Sequence, residues 1–160
     1  NSSGGDRVYD ATDFASYFGK LVSNGIFNAS PNNLKVTAGT GMKVLVQAGS
    51  AWINGYAYEN TDTLELELAT ADGVNPRIDR VVVRWSAVDR NIRLAVLTGT
   101  ALPSPLPPAL NRNNDVYELG IADITVAKGA VSISAGSITD TRLNTSLCGL
   151  VNSLISAVYE

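Results

Sequence analysis

Asp79 stands between Arg77 and Arg80 in "PRIDRVVVRW", the carboxylate most closely hemmed by charge in this 160-residue chain. A carboxyl group serves as a general acid when its neutral form is favoured, and flanking guanidiniums favour the charged form instead. Pro76 bars a helix, and the "VVV" that follows is apolar enough to be covered on both faces. Asp79 therefore belongs to the charged lip of a buried strand. Glu65 and Glu67 alternate with leucines on one solvated strand face. A glycosidase pair needs one carboxyl protonated by an apolar pocket, which nothing around these two supplies. Asn111, Asn113 and Asp115 have the odd spacing of a calcium loop, yet the central glycine is missing and Ala122 stands where a bidentate Glu belongs. That stretch reads as a plain turn. Histidine is absent, so neither a Ser-His-Asp nor a Cys-His relay can be built, and the commonest metal ligand is missing too. Cys148, the single cysteine, cannot form an internal disulfide and reads as a small buried hydrophobe. The expectation is a chain with no catalytic residues, no cofactor and no metal.

Three constellations suit binding better than catalysis. Trp52, Tyr56 and Tyr58 cluster on one hairpin, and alternation puts Tyr56 and Tyr58 on the same face. That is either a sugar-stacking platform or the ordinary packing of a half-buried hairpin. Phe14, Tyr17 and Phe18 fall within five positions at helical spacing. Either they plug one end of the core or part of that face docks on a partner. Near the end, Leu147, Val151, Leu154 and Val158 repeat at 4-3-4 spacing, widened by Leu150 and Ile155. Such a seam fits a helix lying on the domain or the start of an oligomerising coiled coil.

The elements that must position these groups are mostly strands. Apolar residues make up 45% and charged residues 17%, with a formal charge of −3 and no basic stripe. This balance fits one globular domain and argues against a nucleic-acid partner. No apolar run reaches the ~20 residues of a membrane span, and no signal peptide pattern stands at the N-terminus. Residues 1–28 are expected to hold a helix capped by Asp10 or Thr12 and stopped at Asn24-Gly25. From Asn33 onward, runs such as "MKVLVQ", "AWIN", "YAYE", "TLELELA", "RVVVRWS", "IRLAVLT", "YELGIADITV" and "VSIS" alternate with Gly, Asn, Asp and Pro. Asn54-Gly55 predicts a tight hairpin turn in which both residues take positive φ. In "LELEL", Leu64, Leu66 and Leu68 are expected inward. The prolines of residues 102–110 predict an extended connection rather than a strand. The fold expected is mainly β: an antiparallel β-sandwich over 29–142, an N-terminal helix, and a C-terminal helix over 143–160.

Taken together and in order, "GDRVYDATDFASYFGKLVSNGIF", "GMKVLVQAGSAWINGYAYEN", "PRIDRVVVRW" and "DVYELGIADITVAKGAVSISAGSITDTRLNTSLCG" resemble a family. It is the N-terminal module of baseplate or receptor-binding tail proteins of tailed phages and prophages of Gram-positive bacteria. The resemblance implies a non-enzymatic virion component, made in the bacterial host cytoplasm and built into the tail. It also implies other tail or baseplate proteins as partners, attachment through the end bearing Phe14, Tyr17 and Phe18, and a homo-oligomer, with a trimer favoured and a helical neck to follow. The alternative is a carbohydrate-binding domain that touches a host surface glycan itself, with Trp52, Tyr56 and Tyr58 as its stacking residues.

Overall fold

The computed structural model of the chain describes residues 10–155. Helix α1 (Ala11–Gly19) is followed by strands β1 (Gly25–Ile26), β2 (Val36–Ala38), β3 (Lys43–Val46), β4 (Gly49–Ile53), β5 (Tyr56–Asn60) and β6 (Leu64–Glu67). Then come β7 (Arg77–Ser86), β8 (Asn91–Leu97), β9 (Val116–Val126), one 3-10 turn at Ala135–Ser137 and β10 (Ile138–Asp140). Among the described residues they make three antiparallel sheets, ordered β1-β4-β5, β2-β3-β6 and β10-β9-β7-β8. One hydrophobic cluster draws on all three: Ile53 from the first, Val44 and Val46 from the second, Val81, Val83 and Ile124 from the third. Each such fully buried side chain contributes about 1.5–3 kcal/mol relative to exposure. The fold is mainly β, as its alternating runs predict. Burial fades along β6, where Leu68 just beyond the strand is buried, Leu66 half-buried and Leu64 exposed. No strand forms at 131–134; the tenth pairs with β9 a few residues later.

Strand β7 is covered on both faces, and the two coverings differ in chemistry. Val81 and Val83 join the core. On the other face Arg80, Val82 and Arg84 lie opposite Asp123, Gly120 and Glu118 of β9. Cross-strand ion pairs follow, with Arg80 Nε 2.6 Å from Asp123 and Arg84 Nη1 3.1 Å from Glu118. The proline-rich residues 102–110 run over this face without joining a sheet. Prolines offer carbonyls but no amides, and Arg80 Nη1 donates to the Pro108 carbonyl at 2.8 Å. Farther on, Glu118 Oε2 accepts from the Asn111 amide at 2.7 Å. The ion pairs thus rivet the connection to the sheet.

Asp79 is not on a solvated lip. Its side chain is fully buried, and Arg77 and Arg80 are buried as well. Alternation along the strand separates the two arginines: Arg77 shares a face with Asp79, and Arg80 points the other way. Arg77 Nε and Nη2 donate to the Asp79 carboxylate at 2.9 and 3.1 Å, while the rest of the guanidinium takes the carbonyls of Ala69 and Thr70. Asp79 Oδ1 also accepts the Gly99 amide at 2.8 Å, which ties down the chain leaving β8.

Both ends of the chain depart from the helical expectation. Asp10 does cap α1, through a reciprocal box with Asp13. The helix closes at Gly19 rather than running to Asn24-Gly25, and Gly25 enters β1. Residues 21–26 are claimed instead by the C-terminal segment: Leu154 N donates to Leu21 O, Ser23 N to Asn152 O, Ile26 N to Gly149 O and Val151 N to Ile26 O. The expected C-terminal helix is therefore absent over 143–154, where the chain forms turns and isolated bridges. Asn144 accepts the Ser146 amide in a local turn and Gly149 takes φ +83°, both incompatible with a continuing helix. Gly25 permits the close approach, since a Cβ there would lie 2.7 Å from the Gly149 carbonyl oxygen. The 4-3-4 seam dissolves accordingly. Leu147, Leu150 and Val151 are half-buried, Leu154 and Ile155 are exposed, and Val158 lies outside the described residues.

Two ion pairs should respond very differently to mutation. Removing one partner of a buried pair strands the other charge and costs ~3–5 kcal/mol. Asp79→Ala should lower stability by that amount in urea unfolding. The Lys43–Glu65 pair is shorter, at 2.6 Å, but exposed. Water already screens it, so Glu65→Ala should leave the unfolding midpoint nearly unchanged.

Candidate functional site

The β4–β5 hairpin organises the candidate surfaces. Its turn has Asn54 at φ +52° and Gly55 at φ +86°, the expected left-handed pair. Asn24 clasps the turn, accepting the Asn54 amide at 2.8 Å and donating to Asn54 Oδ1 at 3.1 Å. Helix α1 rests directly on it: a Cβ on Gly55 would collide with the Ala15 carbonyl. The contact is made by the backbone of Ala15, which is the buried residue of the helix at 4% exposure. The aromatic face consequently turns outward, with Phe14 at 53%, Tyr17 at 61% and Phe18 at 42%. Those side chains do not plug the core.

The three hairpin aromatics do not form one platform. Tyr56 and Tyr58 oppose Ile53 and Ala51 in the register, while Trp52 opposes Ala57. Trp52 thus faces the other way, toward the helix, where its ring meets Phe18 edge-on at 6.2 Å and Phe27 at 6.4 Å. Tyr56 instead stacks on Trp85 of β7, with ring centroids 6.3 Å apart and 23° between the planes. These two rings stand in an open cleft of about 980 Å³, bounded by Asp10 and Thr12 at the start of α1, Tyr58, and Ile92 of β8. Trp85 is the residue that sequence reasoning passed over. Its signal was its phase, two and four positions beyond Val83 and Val81 at the end of a core strand.

The ionisable groups near the core are engaged structurally. Glu118 is held by Arg84 and Asn111, Asp123 by Arg80, and Asp79 by Arg77. In the "NRNND" turn, Asn113 Oδ1 accepts the amides of Asp115 and Val116 at 2.8 and 2.9 Å. Among the described residues no cluster of three or more His, Cys, Asp or Glu side chains is arranged to hold a metal. Cys148 is buried, and desolvation pushes its thiol up to about 12. Burial likewise raises the Tyr58 phenol. The arrangement offers aromatic and polar surfaces for binding. No helix among the described residues is long and apolar enough to cross a membrane. The chain matches no protein-family model, and no curated protein matches it.

Two measurements check this geometry. Phe18→Ala should cost only about 1 kcal/mol in chemical unfolding, well short of the ~3–5 kcal/mol of a fully buried ring. A thiol-specific reagent at pH 8 should leave Cys148 untouched in the native protein and label it on unfolding, because the thiolate is the reactive form.

Proposed function

We propose that this chain is a non-enzymatic structural module of a phage tail, part of a baseplate or receptor-binding protein that attaches and oligomerises the host-recognition apparatus. The observation that carries the reading is the outward aromatic face of α1. Phe14, Tyr17 and Phe18 are exposed on a helix whose small residue makes the core contact. Aromatic side chains are enriched in the centres of protein interfaces, and an apolar patch left in water is costly unless a partner covers it. The sequence resemblance supplies the class of partner, other tail or baseplate proteins in the virion, and favours a homotrimer. Leu154 and Ile155 are also exposed, and the Leu154 amide is bonded to Leu21 just beyond α1. An oligomer that covers them as well would use this end of a sandwich-like β domain without a coiled-coil seam over 147–154. The buried carboxylates fit a structural role, since each is committed to a guanidinium.

The test is the double variant Phe14→Ser/Tyr17→Ser. Its melting temperature should stay within a few degrees of the unmodified protein, because both side chains are mostly in water. Light scattering should report a trimer for the unmodified chain and a smaller species for the variant, and the variant should fail to enter assembled tails. A monomeric unmodified protein at tens of micromolar removes the oligomer. Normal incorporation of the variant removes the attachment role.

A further inference from the structure

We propose that the cleft between the first turn of α1, β5 and the β7–β8 hairpin is a binding site for a neutral oligosaccharide. Its floor is the near-parallel pair Tyr56 and Trp85, contributed by two different sheets. A pyranose ring presents one face of polarised C–H bonds, which lies down on the negative face of an aromatic ring. Around the floor stand Asp10, Glu59, Arg90 and Asn91. Carboxylate, guanidinium and amide groups are planar and two-pronged, matching the vicinal hydroxyls of a sugar. Asp10 spends one oxygen on its helix cap, so its second oxygen is not used by the cap. Two carboxylates against one guanidinium disfavour an anionic sugar. The volume, about 980 Å³, lies at the upper end of the ~300–1,000 Å³ typical of ligand sites. That is room for several sugar units.

An extended peptide is the competing occupant, because β5 is an edge strand. A five-residue edge with a carboxylate at Glu59 is a poor template for strand addition, and paired ring faces serve a pyranose better than a backbone. The site is separate from the attachment surface. Tyr56 lies on one face of the hairpin, whereas Trp52 and Phe18 meet on the other, so both surfaces can be occupied together.

The experiment titrates the full 160-residue chain with chitotriose, cellotriose, maltotriose, mannotriose and galactotriose by calorimetry and tryptophan fluorescence. At least one should bind saturably and change the fluorescence. The change should vanish in Trp85→Phe and persist in Trp52→Phe, since Trp52 faces the helix. Tyr56→Ala should weaken binding about tenfold or more. Arg90→Ala, on the exposed β7–β8 turn, should weaken it with no change in melting temperature, which keeps the test valid if Tyr56→Ala misfolds. Absence of binding across the five sugars overturns the site. So does binding indifferent to both Tyr56→Ala and Arg90→Ala, or displacement of the bound sugar by extended peptides of unrelated sequence.

Discussion

Guanidinium groups donating into loop carbonyls hold this molecule together outside its strands. Irregular segments leave carbonyls outside the strand ladders, and one buried without a donor costs ~1–3 kcal/mol. Four arginines take them up. Arg77 binds the carbonyls of Ala69 and Thr70, and Arg80 that of Pro108. Arg112 binds Ser146 and Leu147 together with Glu118 of β9, and Arg142 binds Pro31 and Asn33. Three of the four simultaneously hold a carboxylate, and Arg112 lies 4.8 Å over the Tyr117 ring. Only a rigid fork with five donors can serve a carboxylate and two carbonyls at once, so lysine is no substitute at these positions. The sheets are ordinary; the clamps decide where the connections lie.

The same kind of clamp sets the charge state of Asp140. Arg142 grips Asp140 with Nε and Nη2 while reaching across to residues 31 and 33. That guanidinium lowers the Asp140 pKa, with burial opposing it. Asp140 therefore stabilises the fold above the pKa of an unfolded aspartate, about 3.9, and loses that contribution as pH falls through the lower folded value. The charges serve to position the chain.

How much of this was legible in the sequence depended on the range of the interaction concerned. Strand alternation is local, so β7, β9 and the Asn54-Gly55 turn could be read directly, as could the Asp10 cap. Arg80 finds Asp123 across 43 positions, and no local pattern tells which face of β7 each arginine takes. The outward turn of Phe14, Tyr17 and Phe18 hinges on Ala15 meeting the backbone of Gly55, a contact between two residues that look featureless alone. The 4-3-4 apolar spacing near the C-terminus was real, but spacing does not register that Asn144, Gly149 and the partner residues 21–26 draw the backbone away from a helix. Tyr56 and Tyr58 were correctly set on one face; the separation of Trp52 and the arrival of Trp85 required the register of two sheets.

The pairing of residues 21–26 with 149–154 has a consequence for the order of events during synthesis. Its hydrogen bond from Asn152 N to Ser23 Oγ spans 129 positions. A ribosome delivers the N-terminal half first, so β1 can pair with β4 early, whereas residues 149–154 reach it only after nearly the whole domain has been made. Closing so long a loop is slow compared with forming local hairpins. Until then, α1 has the Gly55 turn and the β1–β4 pairing to hold it, while Leu21 and Ser23 lack their C-terminal hydrogen-bond partners. The exit of α1 is therefore fully tied down only once residues 149–154 have been added to the chain.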